Sequence, residues 1–316
     1  EGANILSRNL MIFGQGAIRC HPYVLKEMEL AQREDKDQAA REFDALLVKH
    51  IGFAVGNAAS SFLLSLSCGH LGNAPGDRIS RPYFRALNRL AASFALLADF
   101  SMMLLGGELK RKERLSARLG DVLSYLYLGS AALKRYHDLG NPDYLHPLLR
   151  WAMEENLGKA EAALEDLLNN FPSRFFGCAL KVLVLPFGRR HKGPSDELDA
   201  EIAEILGRPD DDPALQAILA GAFLPKDPQD PVGALAHAFD AVRESAALEK
   251  TLHKAIKEGR VQPQAGQNPI DAGAAAGVLS AEQAQALHQA EAARRKVIDV
   301  DDFAKEELQL ADGRIR

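Results

Sequence analysis

Three observations in the sequence predict an all-α fold, a helical bundle with an appended helical region. The alternation of β-branched and aromatic residues that marks strands is almost absent, while Leu, Ala, Glu, Lys and Arg dominate. Apolar residues recur three and four apart over long windows, the spacing of one helix face. Glycine and proline clusters separate these windows rather than interrupting them.

Residues 2–20 form an apolar helical stretch that ends before Pro22, because a residue preceding proline is pushed out of the α region. A second helix follows and fades near Asp35. From Asp37 to Cys68 a longer helix carries Phe43, Leu47, His50, Ala54, Ala58, Ser61 and Cys68 along one side. Small residues between them (Gly52, Gly56, Ala59 and Ser60) permit close helix contact. Residues 69–77 are a breaker cluster and read as a loop. Phe84, Leu87, Ala91, Phe94, Ala98, Ser101 and Leu105 then form the seam of a bundle helix, and Leu115, Leu119, Val122, Leu126, Gly129 and Leu133 form the next. Gly106-Gly107 between them predicts antiparallel neighbours with a short connection.

A turn at 140–143 leads to a helix that runs to Asn170 and faces Leu148, Ala152, Leu157, Ala160, Leu164 and Leu167 inward. After Lys192-Gly193-Pro194 the texture changes to short helical pieces divided by Pro209, Pro213, Pro225, Pro228 and Pro231, followed by a helix from Val232 to Glu258. The expected division is therefore a bundle over 1–194 and an appended region over 195–316. Residues 260–279, rich in Gln, Gly, Ala and Pro, read as a mobile loop, and Ser280 with Gln283 as a capping box opening the last helix.

A hydrophobic fraction of 47% with 26% charged residues belongs to an ordinary globular chain and argues against dominant disorder. The net charge of −5 gives no reason to expect nucleic acid, whose binders display a basic face. Cys20, Cys68 and Cys178 are odd in number and far apart, which fits free thiols in a reducing compartment, so a cytoplasmic location is expected. The opening Glu-Gly-Ala-Asn carries neither an initiator Met nor a signal segment, and the chain is expected to be a piece of a longer protein.

The stretch that points to chemistry is the first, Glu1-Gly2-Ala3-Asn4-Ile5-Leu6-Ser7-Arg8. A carboxylate ahead of a glycine and a helix can be held beside a buried substrate, where desolvation raises its pKa toward the range of a base. Spacing alone leaves Glu1 an acidic residue that complements a helix macrodipole. Glu1, Gly2 and Arg8, however, match the Glu-Gly-Thr-x-x-x-x-Arg signature of acyl-CoA dehydrogenases. Residues 12–22, residues 110–121 (Lys110 to Asp121) and Val300-Asp301-Asp302-Phe303 extend the resemblance to the carboxy-terminal portion of the bacterial long-chain, FadE-type members.

The resemblance implies that Glu1 is the base that takes the α-proton of a long-chain fatty acyl-CoA while a hydride leaves the β-carbon for FAD, giving the trans-2-enoyl-CoA of β-oxidation. It implies an electron-transferring flavoprotein as acceptor and homo-oligomers. It also implies that the thioester carbonyl is polarised by donors that include the base's own backbone N–H. A chain beginning at Glu1 would carry an amine there, so this piece alone is expected to be inactive. Ala3 and Ile5 replace the family's Thr and Gln, so no flavin contact is transferred to them, and FAD is expected to be bound mainly by an upstream part. Two alternatives stand beside this reading: an acyl-CoA oxidase, and a non-catalytic helical interaction module.

Other features take plainer readings. Gly14-Gln15-Gly16 follows no strand and reads as close helix packing rather than a dinucleotide loop. Cys20-His21 has no companion pair at zinc spacing, and no metal is expected. His50 reads as a satisfied core histidine, and the basic run Lys110 to Arg118 as a solvated face. Residues 175–192 pass abruptly from apolar to basic and are too short to span a bilayer, which needs about 20 apolar residues. They fit either a buried helix with a solvated exit or a peripheral contact with an anionic inner membrane.

Overall fold

The computed structural model describes residues 2–209, 211–223, 225 and 227–299, and among these residues there are helices and no strand. The chain divides into two compact units, Glu1–Leu215 and Gln216–Arg316.

The first unit opens with α1 (Gly2–Leu6), a π-helical segment (Ser7–Gln15) and α2 (Gly16–Cys20). The widened π turns suit Gly14 and Gly16. The Gly16 N–H reaches back to the Met11 carbonyl, and a Cβ on Gly14 would sit 3.2 Å from the Asn9 carbonyl oxygen. The Gly14-Gln15-Gly16 run therefore answers to its own helix's backbone rather than to a neighbouring helix. His21, ahead of Pro22, takes extended dihedrals (φ −67°, ψ 133°) and stops α2 as the proline requires.

Next come α3 (Val24–Gln32) and α4 (Lys36–Leu66), the latter capped by the Asp35 side chain, which accepts the Gln38 N–H. They are followed by α5 (Arg81–Leu105), a 3-10 turn (Gly106–Lys110), α6 (Glu113–Asp138), α7 (His146–Asn169), α8 (Arg174–Val184) and α9 (Asp196–Leu206). Helices α5, α6 and α7 pack on one another and form the core, where Leu90, Leu97, Leu119, Val122, Leu133, Met153, Leu157, Leu164 and Leu167 are fully or nearly fully buried. The seam expected on α6 is buried along its whole length.

The stripe expected on α4 is covered less completely: Ser61 is fully buried, Leu47 is exposed and the others are half-buried, while Val48, Ile51 and Val55, off the stripe, stand 55–70% exposed. By length and composition, α4 and the run Arg81–Leu109 are apolar enough to cross a membrane. Both nonetheless carry polar residues engaged inside the bundle: His50, Ser61 and Ser65 on the first, Arg89 and Asp99 on the second.

The first unit extends beyond residue 194, the point at which composition shifts. Leu198 and Ile205 of α9 are buried, and the Trp151 indole N–H donates to Asp199 at 2.6 Å. Burial of one face thus ties a segment that reads as appended to the bundle unit.

Helix α10 (Pro213–Leu219) crosses the division, and the second unit is built from α11 (Pro231–Lys257), α12 (Pro269–Ala275) and α13 (Ala281–Ile298). Asp230 caps α11, and Ser280 with Gln283 forms both halves of the expected capping box. Within 260–279, expected as a loop, the structure holds α12 and buries Val261, Ala272 and Leu279 against Leu252, Ala255 and Leu287. Composition misled here because alanines and a glycine serve as close-packing residues. A Cβ on Gly273 would lie 2.6 Å from a Leu252 methyl.

Candidate functional site

Of the three residues of the opening motif, Glu1 lies outside the described residues, as does the 300–303 segment. Gly2 opens α1, and Ala3 and Ile5 are exposed. Arg8 is held: its Nη1 donates to Asp121 Oδ1 of α6 at 3.3 Å. Burial pushes the Asp121 carboxyl above its ordinary pKa, and the Arg8 guanidinium pulls it back only in part. Gly120 permits the approach, since a Cβ there would meet the Arg8 carbonyl oxygen at 3.0 Å. The opening motif and the Lys110-to-Asp121 run, remote in sequence, therefore meet where the π segment crosses α6.

Farther along the same helical run lies an apolar cavity of about 330 Å³, walled by Phe13, Ala17 and Ile18, by Val24 and Met28 of α3, and by Met102 and Leu109 beyond them. Phe13 is fully buried and packs edge-on to Phe94. The cavity can accept an apolar chain and, among the described residues, has no charged wall.

A charge network that the sequence did not reveal joins α3 and α5, which also line the cavity, through α4. His50 Nδ1 lies 2.7 Å from Glu27 Oε1 and its Nε2 lies 2.9 Å from Asp99 Oδ1, so the ring bridges α3 and α5. Burial opposes a charged ring, but the bonds to Asp99 and Glu27 outweigh it and hold the His50 pKa above its ordinary value. Tyr23 stacks on the ring at 5.2 Å. His50 is thus satisfied, but by two carboxylates rather than as a neutral core group. No spacing rule links positions 27, 50 and 99; only the packing of three helices brings them together.

His21 adjoins this network, its Nε2 3.6 Å from Asp99 Oδ1. Burial lowers its pKa, against the pull of Asp99. His21, His50 and Asp99 each offer a ligand atom within 4.8 Å of the others. The tautomer argues against ligation, however: His21 Nδ1 accepts the backbone N–H groups of Tyr23 and Val24 at 3.2 Å, which leaves the ring proton on Nε2, the atom that would have to bind. Cys20 is exposed and does not join the group.

The two basic segments differ. Arg111, Lys112 and Arg114 are exposed on an open hollow with Arg118, Asn170 and Pro172. The 189–192 segment is docked. Glu161, fully buried, pairs with Arg89 and accepts the backbone N–H groups of Arg190 at 2.6 Å and His191 at 2.8 Å. Arg189 donates to the Gly158 carbonyl at 3.3 Å. In α8, Leu180 and Val184 are buried while Phe175, Val182 and, just beyond the helix, Phe187 stand 62–76% exposed.

A family of known proteins described as acyl-CoA dehydrogenase, C-terminal, bacterial type, matches residues 18–303. The chain belongs to this family. The acyl-CoA dehydrogenase C-terminal domain is all-helical, as the structure is, and its proteins are flavin dehydrogenases that use FAD, bind acyl-CoA and often oligomerise. The matched span begins after Arg8, so the family assignment rests on the bundle and the second unit and not on the opening motif. No solved structure matches the chain.

Proposed function

We propose that this acyl-CoA dehydrogenase domain serves a long-chain, FadE-type enzyme that converts fatty acyl-CoA to trans-2-enoyl-CoA in β-oxidation, with Glu1 as the base that removes the α-proton. The observation that carries the reading is the apolar cavity on the helical run that continues from Glu1, Gly2 and Arg8. It supports an aliphatic substrate, and the family supports the thioester. Arg8 serves as a positioning residue that fastens the run to α6 through Asp121. Bound FAD would accept the hydride from the β-carbon. The exposed Ala3 and Ile5 offer no polar side chain to hold it, so its contacts fall mainly to residues upstream of Glu1. An electron-transferring flavoprotein would then reoxidise the flavin.

The exposed apolar strip of α4 supports subunit or intramolecular contact. The outward face of α8 supports a cytoplasmic enzyme peripheral to the inner membrane, its apolar side chains in the interface. Arg189 and Arg190 are turned toward the protein, so Phe175→Glu with Val182→Glu is the test of that contact. Unchanged pelleting with vesicles would remove it. For the chemistry, Glu1→Gln in the full-length protein should keep FAD bound and abolish acyl-CoA-dependent flavin bleaching under anaerobic conditions. Wild-type bleaching would take the base role from Glu1, and peroxide production by the wild type would move the enzyme to the oxidases.

A further inference from the structure

Where α8 hands over to α9, the docked segment roofs a cavity of about 370 Å³ whose lining carries Arg85, Arg89 and Arg190 against one carboxylate, Glu154. Arg85 and Arg89 rise from the first turns of α5, Arg190 comes from the docked segment, and Cys68 and His70 come from the loop after α4. Gly69 holds that loop against α5. Its φ is +81°, and a Cβ there would lie 2.6 Å from the Arg85 carbonyl oxygen, so only glycine fits.

Three guanidinia face two carboxylates at this site. Both oxygens of Glu161 are taken, one by Arg89 and the other by the N–H groups of Arg190 and His191. Glu154 lies 3.1 Å from His191 Nδ1. Among the described residues neither Arg85 nor Arg190 has a carboxylate partner: Arg85 Nε is buried with no hydrogen-bond partner there, and Arg190 Nη1 rests on the Cys68 sulfur. A buried donor without a partner costs free energy that an oxyanion in the cavity would recover. Paired guanidinium forks fit a phosphate's oxygens bidentately, which a lone lysine does not.

We propose that this cavity is a phosphate-binding site, with Arg85 and Arg190 gripping the oxyanion and Cys68 at its edge. The site goes beyond the dehydrogenase reading and does not depend on it. The phosphate has two sources, inorganic phosphate or the phosphorylated end of a nucleotide such as the CoA carrier.

Cys68 is a built-in reporter, and the exposed Cys20 and Cys178 are internal references. The full chain is alkylated with iodoacetamide and each cysteine is followed by peptide mapping, in inorganic phosphate or in chloride of equal ionic strength. Phosphate should slow alkylation of Cys68 alone. Arg85→Gln should require about tenfold more phosphate for the same protection, the loss of one charge-assisted bond, while the surface control Lys134→Gln should behave as wild type. Arg190→Gln keeps the backbone N–H that Glu161 needs and should fold, but it should lose the phosphate-dependent rise in Tm. Protection by adenosine 3′,5′-bisphosphate at lower concentration than phosphate assigns the source to the nucleotide, and the reverse assigns it to the free ion. Equal alkylation of wild-type Cys68 in phosphate and chloride overturns the site even if the variants fail to fold. Undiminished protection in Arg85→Gln overturns it as well.

Discussion

Arg8 and Asp121 meet at 3.3 Å across 113 positions of sequence, and beneath them Gly120 lies so near Arg8 that a Cβ there would come within 3.0 Å of its carbonyl oxygen. The Arg8 side chain is 44% exposed, so Arg8→Ala should cost only about 0.2–1 kcal/mol of stability. A side chain at Gly120 must push against the Arg8 carbonyl, and Gly120→Val should cost about 1–3 kcal/mol. Urea unfolding of both variants tests the ranking. If Arg8→Ala proves the more damaging, the ion pair rather than the backbone contact seats the π segment on α6.

The Arg89–Glu161 pair is almost wholly buried, and Glu161 also holds two backbone donors. Glu161→Ala leaves a buried guanidinium uncompensated and should cost about 3–5 kcal/mol. Arg89→Met together with Glu161→Leu should recover much of that loss, because the uncompensated charge is gone. Thermal melts of the single and double variants check this, and a double variant as unstable as Glu161→Ala would contradict it.

His50 gives a pH signature. Its folded pKa lies above 6.5, so its stabilisation is complete below 6.5 and is lost as pH rises through the raised value. His21 works the other way: its pKa is lowered, and its contribution is present above 6.5 and lost as pH falls through the lowered value. Urea midpoints from about pH 5.5 to about pH 9 should show the wild type's advantage over His50→Gln shrinking as pH rises. A constant difference would mean that His50 does not titrate in this range.

Ala17 lines the apolar cavity, and Ala17→Trp would fill it. In the full-length protein this should raise KM for a long-chain acyl-CoA by about tenfold, equivalent to unburying about two methylenes, and leave a short-chain substrate nearly unchanged. Equal effects on both chain lengths would detach the cavity from the acyl chain.

The sequence by itself determined the all-α class, most helix boundaries, the α6 seam, the capping box at Ser280 and the family, because these depend on local periodicity, turn chemistry and a long run of characteristic residues. It also singled out Arg8 and the Lys110-to-Asp121 run, though not their meeting. Only the tertiary structure decided which apolar faces find partners. The predicted stripe on α4 is mostly half-buried while the neighbouring face with Val48, Ile51 and Val55 is bare, α9 belongs to the first unit, and 260–279 is packed. It alone assembled Glu27–His50–Asp99 and the Arg85–Arg190 cavity. Burial and charge pairing depend on which helices lie side by side, and residues tens of positions apart carry no periodic signal of that adjacency.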